Sequence, residues 1–248
     1  MASAELTIRS TVLNMDVKIS VIIPESRKDY HDDLNDKKYP CLYVLHGTSE
    51  DCSTWLNSST LYLLARDLDL FVVMASANNC CYVDTEYGFN FQTFLSQELP
   101  YKMERLFPIS NKREDRFIMG ESMGGYGTWY TSLMNPDKYA KAVPFSTTGI
   151  RNFKHVLETG AHSVDELALK VNNSGQPIPE YLLMCGTDDM LYEKAVDWEN
   201  WMRANCPNFK IQSFYYPGKH DFFYWNQMIP KALEFFGFKL DPEKVKQI

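Results

Sequence analysis

Ser122 stands in Gly120-Glu121-Ser122-Met123-Gly124-Gly125, a G-x-S-x-G pentapeptide extended by one glycine. A strand-like run, Arg116-Phe117-Ile118-Met119, precedes it, and a helix-compatible stretch over 126–134 follows. Strand, G-x-S-x-G, helix is the context of a nucleophile elbow, a sharp turn that stands the serine hydroxyl clear of the backbone. Small residues two before and two after the serine permit the turn, because bulkier side chains would strike the adjoining strand and helix. At a helix N-terminus, free N–H groups and the helix dipole favour a developing negative charge. The chemistry open to such a serine is acyl transfer. A glycine-rich turn with an ordinary capping serine reads the same locally, so the decision rests on partners elsewhere in the chain.

A serine nucleophile needs a base, and the base needs an acid to orient it. There are five histidines: His31, His46, His155, His162 and His220. Where a strand-turn-helix elbow carries the serine, the acid and then the base follow it in the chain, which leaves His155, His162 and His220. His220, in Pro217-Gly218-Lys219-His220-Asp221, follows a late apolar strand and is the candidate base. His155 and His162 fall in a polar stretch and read as solvated surface, as does His31 in a charged loop. His46 ends an apolar strand and reads as packing or hydrogen-bonding beneath the site. Two aspartates, Asp188 and Asp189, compete for the acid, both just past the apolar run Tyr181-Leu182-Leu183-Met184-Cys185. An oxyanion needs two backbone N–H donors. Met123, after the serine, supplies one, and Thr48 in His46-Gly47-Thr48 the other.

These loops need strands to hold them. Residues 5–14 and 16–24 alternate apolar and polar side chains, the period of a half-buried strand, and read as an antiparallel hairpin. From residue 39 the rhythm changes. Runs 41–45, 70–75 and 181–185 are apolar throughout, as in strands covered on both faces, and 116–119, 140–145 and 209–215 also read as strands. Helical patterns over 61–69, 91–106, 126–134, 194–205 and 228–236 alternate with them. The expectation is an α/β chain with a mostly parallel central sheet, helices on both faces and the hairpin extending one edge. Residues 149–175 are polar and read as an insertion of short helices above the sheet. No internal repeat or linker divides the 248 residues, so one domain over 1–248 is expected.

Composition narrows the partners. The net charge is -7 and no large basic cluster is present, which argues against nucleic acid and anionic membrane. No signal-like N-terminus and no run of eighteen apolar residues is visible, so a cytoplasmic location is expected. The six cysteines (41, 52, 80, 81, 185 and 206) show neither C-x-x-C spacing nor a zinc pattern with histidine. Free thiols, no metal and no cofactor are expected, with a small-molecule ester as partner and self-association left open. Trp55, Tyr82, Tyr87, Tyr192 and Trp225 lie near the strand C-terminal ends and are pocket-lining candidates, although in a chain so rich in aromatics core or loop packing is the better reading of each.

Leu45-His46-Gly47, Trp55, the Gly120–Gly125 segment, Gly186-Thr187-Asp188-Asp189 and Gly218-Lys219-His220-Asp221 together resemble the esterase D-like branch of the α/β-hydrolases. That branch includes tributyrin esterases, acetyl- and feruloyl-type carbohydrate esterases and S-formylglutathione hydrolases. The resemblance covers roughly residues 5–237. It implies an α/β-hydrolase fold and a cofactor-independent serine carboxylesterase, with Ser122 as nucleophile and His220 as base. Its G-x-x-D spacing after the strand favours Asp189 over Asp188. An S-formylglutathione hydrolase-like thioesterase would use the same machinery, and a non-catalytic binding protein could share the scaffold. Relatives often carry a second glycine soon after His-Gly, where this chain has Thr48-Ser49-Glu50-Asp51.

Overall fold

The computed structural model describes residues 2–24, 37–65, 68–85, 89–149 and 162–246. Its centre is one eight-stranded sheet with strand order β1-β2-β4-β3-β5-β6-β7-β8. β1 (Ala2–Ser10) and β2 (Met15–Ile23) form the expected antiparallel hairpin, with Ala2 opposite Ile23 and Ser10 opposite Met15. β2 also runs antiparallel to β4 (Phe71–Ala75). From β4 onward, through β3 (Cys41–Leu45), β5 (Arg116–Glu121), β6 (Lys141–Phe145), β7 (Glu180–Gly186) and β8 (Ile211–Tyr216), every pairing is parallel.

The central strands serve two cores at once. Along β3, Cys41, Tyr43 and Leu45 enter one cluster while Leu42 and Val44 enter the other. The first core is closed by the helices Leu99–Leu106, Met123–Met134, Val164–Asn172 and Tyr192–Asn205, and the second by Thr54–Ser58, Leu61–Ala65 and Phe222–Phe236. Parallel strands with crossover helices on both faces leave the strand C-terminal ends as one open rim, where ligands bind in open α/β sheets.

Three elements depart from the expected pattern. The helix over 91–106 is broken by a π-turn, Phe94–Glu98. That turn aims Glu98 at the hairpin turn, where its carboxylate accepts from Ser10 Oγ, Thr11 N (2.8 Å), Thr11 Oγ1 (2.9 Å) and Val12 N (3.3 Å). The closing helix begins at Phe222 rather than 228, because the Asp221 side chain caps it by accepting from Tyr224 N at 3.1 Å. The sequence reading passed over this cap, and Pro230 sits inside the helix. Within 149–175, helix Val164–Asn172 is present with a Ser163/Glu166 capping box, while 150–161, with His155, lie outside the described residues. So do His31 and Tyr87.

Candidate active site

β5 ends at Glu121, and Ser122 takes φ 55° and ψ -116°, a left-handed conformation rare for a residue with a side chain. Backbone strain of this kind persists only where surrounding structure enforces it. Here the enforcement is close packing. A Cβ at Gly120 would lie 2.6 Å from the Gly124 backbone, and one at Gly124 would collide with the Leu45 carbonyl. Ser122 N–H donates to Phe145 O at 3.1 Å, which ties the elbow to β6. Met123 opens the helix, so its N–H is among the four that a helix leaves without an internal acceptor.

Asp189 follows β7 and His220 follows β8, both at the rim that carries Ser122. The His220 Nδ1 lies 2.8 Å from Asp189 Oδ2 and 3.0 Å from Oδ1. An N–H on Nδ1 donating to the carboxylate leaves Nε2 as the lone-pair nitrogen, the form a general base requires. The Asp189 side chain is wholly buried and that of His220 is 17% exposed. Burial alone would push the Asp189 carboxyl up. Hydrogen bonds from His220, from Leu191 N–H at 2.8 Å and from Ser146 outweigh it and hold the group below its ordinary range. Asp188, the competing aspartate, is exposed, and its N–H donates to Gly218 O at 3.0 Å. Among the described residues no hydrogen bond joins Ser122 Oγ to His220; such contacts are commonly loose before substrate binds.

The loop after β3 is pinned from three sides. Ala77 N–H donates to His46 Nε2 at 3.0 Å, which places the ring proton on Nδ1, 2.8 Å from Gly47 O. Burial lowers the tendency of this ring to charge below the ordinary value of 6.5. His46 is therefore a neutral brace. The Tyr82 hydroxyl donates to His46 O at 2.8 Å, and the Trp55 indole N–H donates to Leu45 O at 3.2 Å. Thr48, next in the loop, is exposed at the rim.

Among the pocket-lining candidates, Trp55 and Tyr82 are each 1% exposed and Trp225 is 4% exposed. Trp225 stands edge-on to His220 with ring centroids 5.3 Å apart, and its indole N–H donates to Ser146 Oγ at 2.9 Å. Trp55 and Trp225 both meet Phe222 edge-on, at 5.4 and 4.9 Å. These three rings brace the loops from beneath. Tyr192 is half-buried against Tyr215. His162 is exposed. Close in the chain to the Asp189–His220 pair, Met190 and Phe223 are large apolar side chains left 78% and 84% exposed, which the sequence reading did not single out.

The Esterase family model, described as "Putative esterase", matches residues 10–236. The chain belongs to the Esterase family. It is 25% identical over 263 residues to an acetyl esterase of Caldicellulosiruptor saccharolyticus, covering 94% of this chain and 97% of that protein. It superposes on FphF, a fluorophosphonate-binding serine hydrolase of Staphylococcus aureus, with TM-score 0.85 and 29% identity over 96% of this chain and 99% of the other. An S-formylglutathione hydrolase, FrmB, from the same organism gives TM-score 0.83 and 30% identity over 95% and 98%. The α/β-hydrolase fold and membership of this family make the protein a carboxylic ester hydrolase. Among the described residues no helix is long and apolar enough to cross a membrane.

Proposed function

We propose that the protein hydrolyses short-chain acyl esters, with acetyl esters of carbohydrates as the leading substrate class, through an acyl-enzyme on Ser122. The observation that carries this is the Asp189–His220 contact at the rim that also holds the elbow. His220 Nε2 takes the Ser122 proton as Oγ attacks the ester carbonyl. Asp189 fixes the imidazole tautomer and stabilises the imidazolium that forms. The N–H groups of Met123 and Thr48 receive the oxyanion. His220 then returns its proton to the leaving alcohol, activates a water, and the acyl group departs as the acid. Every step uses protein groups and water, so the mechanism calls for no cofactor. The acetyl esterase relative supports the acyl preference.

A thioesterase reading is favoured by one observation, the 30% identity to an S-formylglutathione hydrolase. The machinery would be the same and only the leaving group would differ. Turnover should be measured on p-nitrophenyl esters of graded chain length, acetylated xylan, methyl ferulate and S-formylglutathione. A kcat/KM highest for acetyl or butyryl esters supports the proposal, and one dominated by S-formylglutathione replaces it with the thioesterase. Ser122→Ala should abolish hydrolysis and labelling by a fluorophosphonate probe while leaving the fold intact. Undiminished turnover in that variant would remove the serine from the mechanism.

A further inference from the structure

Glu121 ends β5 and precedes Ser122, yet it is 0% exposed. Neither of its carboxyl oxygens has a hydrogen bond of good geometry, although Glu50, the Gly47 backbone and the Trp55 indole all lie beside it. An ionised carboxylate there would be buried without a counter-charge, at a cost of several kcal/mol. Gly47 lies between two acids. Its N–H donates to Glu50 Oε2 at 2.9 Å, and a Cβ on it would collide with Glu121 Oε2. The two carboxyl groups thus come from separate elements, β5 and the loop after β3, and meet at the residue before Thr48.

We propose that Glu121 and Glu50 share one proton beside Gly47, and that this acid pair is the positioning device for the Gly47–Thr48 side of the oxyanion hole. The inference rests on the esterase reading above. Glu121, the wholly buried member, holds the proton and donates it to Glu50. Glu50 accepts both that O–H and the Gly47 N–H. The loop is thereby tied to the residue adjoining the nucleophile, so the two oxyanion donors, on Thr48 and Met123, are set against one another. Burial, and next the Glu50 charge beside it, push the Glu121 carboxyl well above the usual carboxylate range, in keeping with a retained proton.

Other titratable groups pack around the pair. From the loop after β4, Tyr82 donates its hydroxyl to His46 O, and burial pushes that phenol well above its ordinary 10.0. From the loop after β3, His46 is held neutral by burial, and Asp51 is held below its ordinary range by its hydrogen bonds with Ser53. The indole of Trp55 does not titrate. The proton whose loss on alkalinisation bears on this loop is therefore the one on Glu121. Its loss puts two carboxylates side by side, and their repulsion displaces Gly47 and Thr48.

The test compares wild type, Glu121→Leu and Glu121→Gln on p-nitrophenyl acetate across neutral and alkaline pH, with circular dichroism at each pH. Leucine fills the space and removes the donor, so kcat should fall by about 10²-fold with KM within about twofold, the pattern of a misplaced oxyanion donor. Glutamine keeps an N–H donor toward Glu50 and has no proton to lose. It should recover most of the activity lost in Glu121→Leu and lack the reversible fall in kcat expected of wild type at high pH. Wild-type kcat in Glu121→Leu, or the same alkaline fall in Glu121→Gln as in wild type, would overturn the proposal. If the leucine variant does not fold, the glutamine pH profile decides alone. Failure of the esterase reading is distinguishable, because wild type would then hydrolyse no ester at any pH.

Discussion

Two adjacent aspartates differ in one respect that matters to catalysis: the Asp189 side chain is buried against His220 and Asp188 is exposed. Asp189→Asn should lower kcat by roughly 10³–10⁴-fold, since an amide can present an N–H to Nδ1 and favour the wrong tautomer. Asp188→Asn should cost little, because it is the Asp188 backbone N–H that binds Gly218 and the substitution leaves it in place. Steady-state kinetics of both variants on one short-chain ester check this, and a larger loss in folded Asp188→Asn would reverse the roles. Tyr82→Phe is a subtler test. It strips the hydroxyl donor from the buried His46 carbonyl at a cost of about 1–3 kcal/mol. Both kcat and Tm should fall, with KM nearly unchanged. A variant with wild-type kcat would mean that the loop holds its shape without that hydrogen bond. The sequence pointed to Tyr82 as pocket lining because an aromatic residue near a strand end reads alike whether its ring faces substrate or the interior. Burial to 1% separates the two cases.

At the scale of elements, the π-turn at Phe94–Glu98 fastens an edge hairpin to the body of the protein through a single carboxylate. Glu98→Ala should therefore cost about 3 kcal/mol, a drop in Tm of roughly 10 °C, with kcat/KM little changed because β4 and β3 stand between the hairpin and β5, which leads into Ser122. Thermal melts and ester assays on one preparation would show it. Equal losses in both would mean that the hairpin communicates with the site. The central strands were legible in the sequence because burial on two faces writes an unbroken apolar run, as along β3 and β4. The π-turn was not, since Phe94-Leu95-Ser96-Gln97-Glu98 fits an ordinary helix and its purpose lies in contacts with residues 10–12. Glu121 was hidden for a related reason. It occupies the free x position of the pentapeptide, and its pairing with Glu50 becomes visible only when β5 is set beside β3.

For the whole molecule, stability should depend on pH through groups of opposite sign. Burial pushes Glu98 and Asp189 up, but their hydrogen bonds prevail and hold them below 4.5 and 3.8 respectively. The stability they add is present above those unfolded-state values and is lost as pH falls through the folded-state ones. His46 acts in the same direction from a higher starting point. Burial depresses its ring below 6.5, so the unfolded chain takes up that proton first. Its contribution is present above 6.5 and drains as pH drops through the folded value. Glu121 runs the other way. Its raised carboxyl contributes most below 4.5, and that contribution is lost as pH rises through the folded value. The Tm advantage of wild type over His46→Gln should therefore shrink on acidification below pH 6.5. The advantage over Glu121→Gln should shrink on alkalinisation. Melting curves over a pH series read both, and parallel curves for wild type and either variant would contradict the corresponding assignment. The proposed nucleophile, acid and base could be picked out in the sequence because their order and spacing along the chain are local to three loops. Of their buried supports His46 was legible, because it ends an apolar strand, while the Tyr82 and Glu50 contacts were not, because each joins separate elements.

The edge-on contact between Trp225 and His220 makes the protein its own optical indicator. An imidazolium beside an indole quenches its fluorescence, whereas a neutral imidazole does so far less. The remaining tryptophans contribute a background: Trp55 meets Phe222, and Trp129, Trp198 and Trp201 cluster on the other face of the sheet. The difference in emission between wild type and Trp225→Phe would then follow the charge on His220 directly. Recorded in a stopped-flow mixer, it would time the arrival and departure of the proton during acylation without a chromogenic substrate.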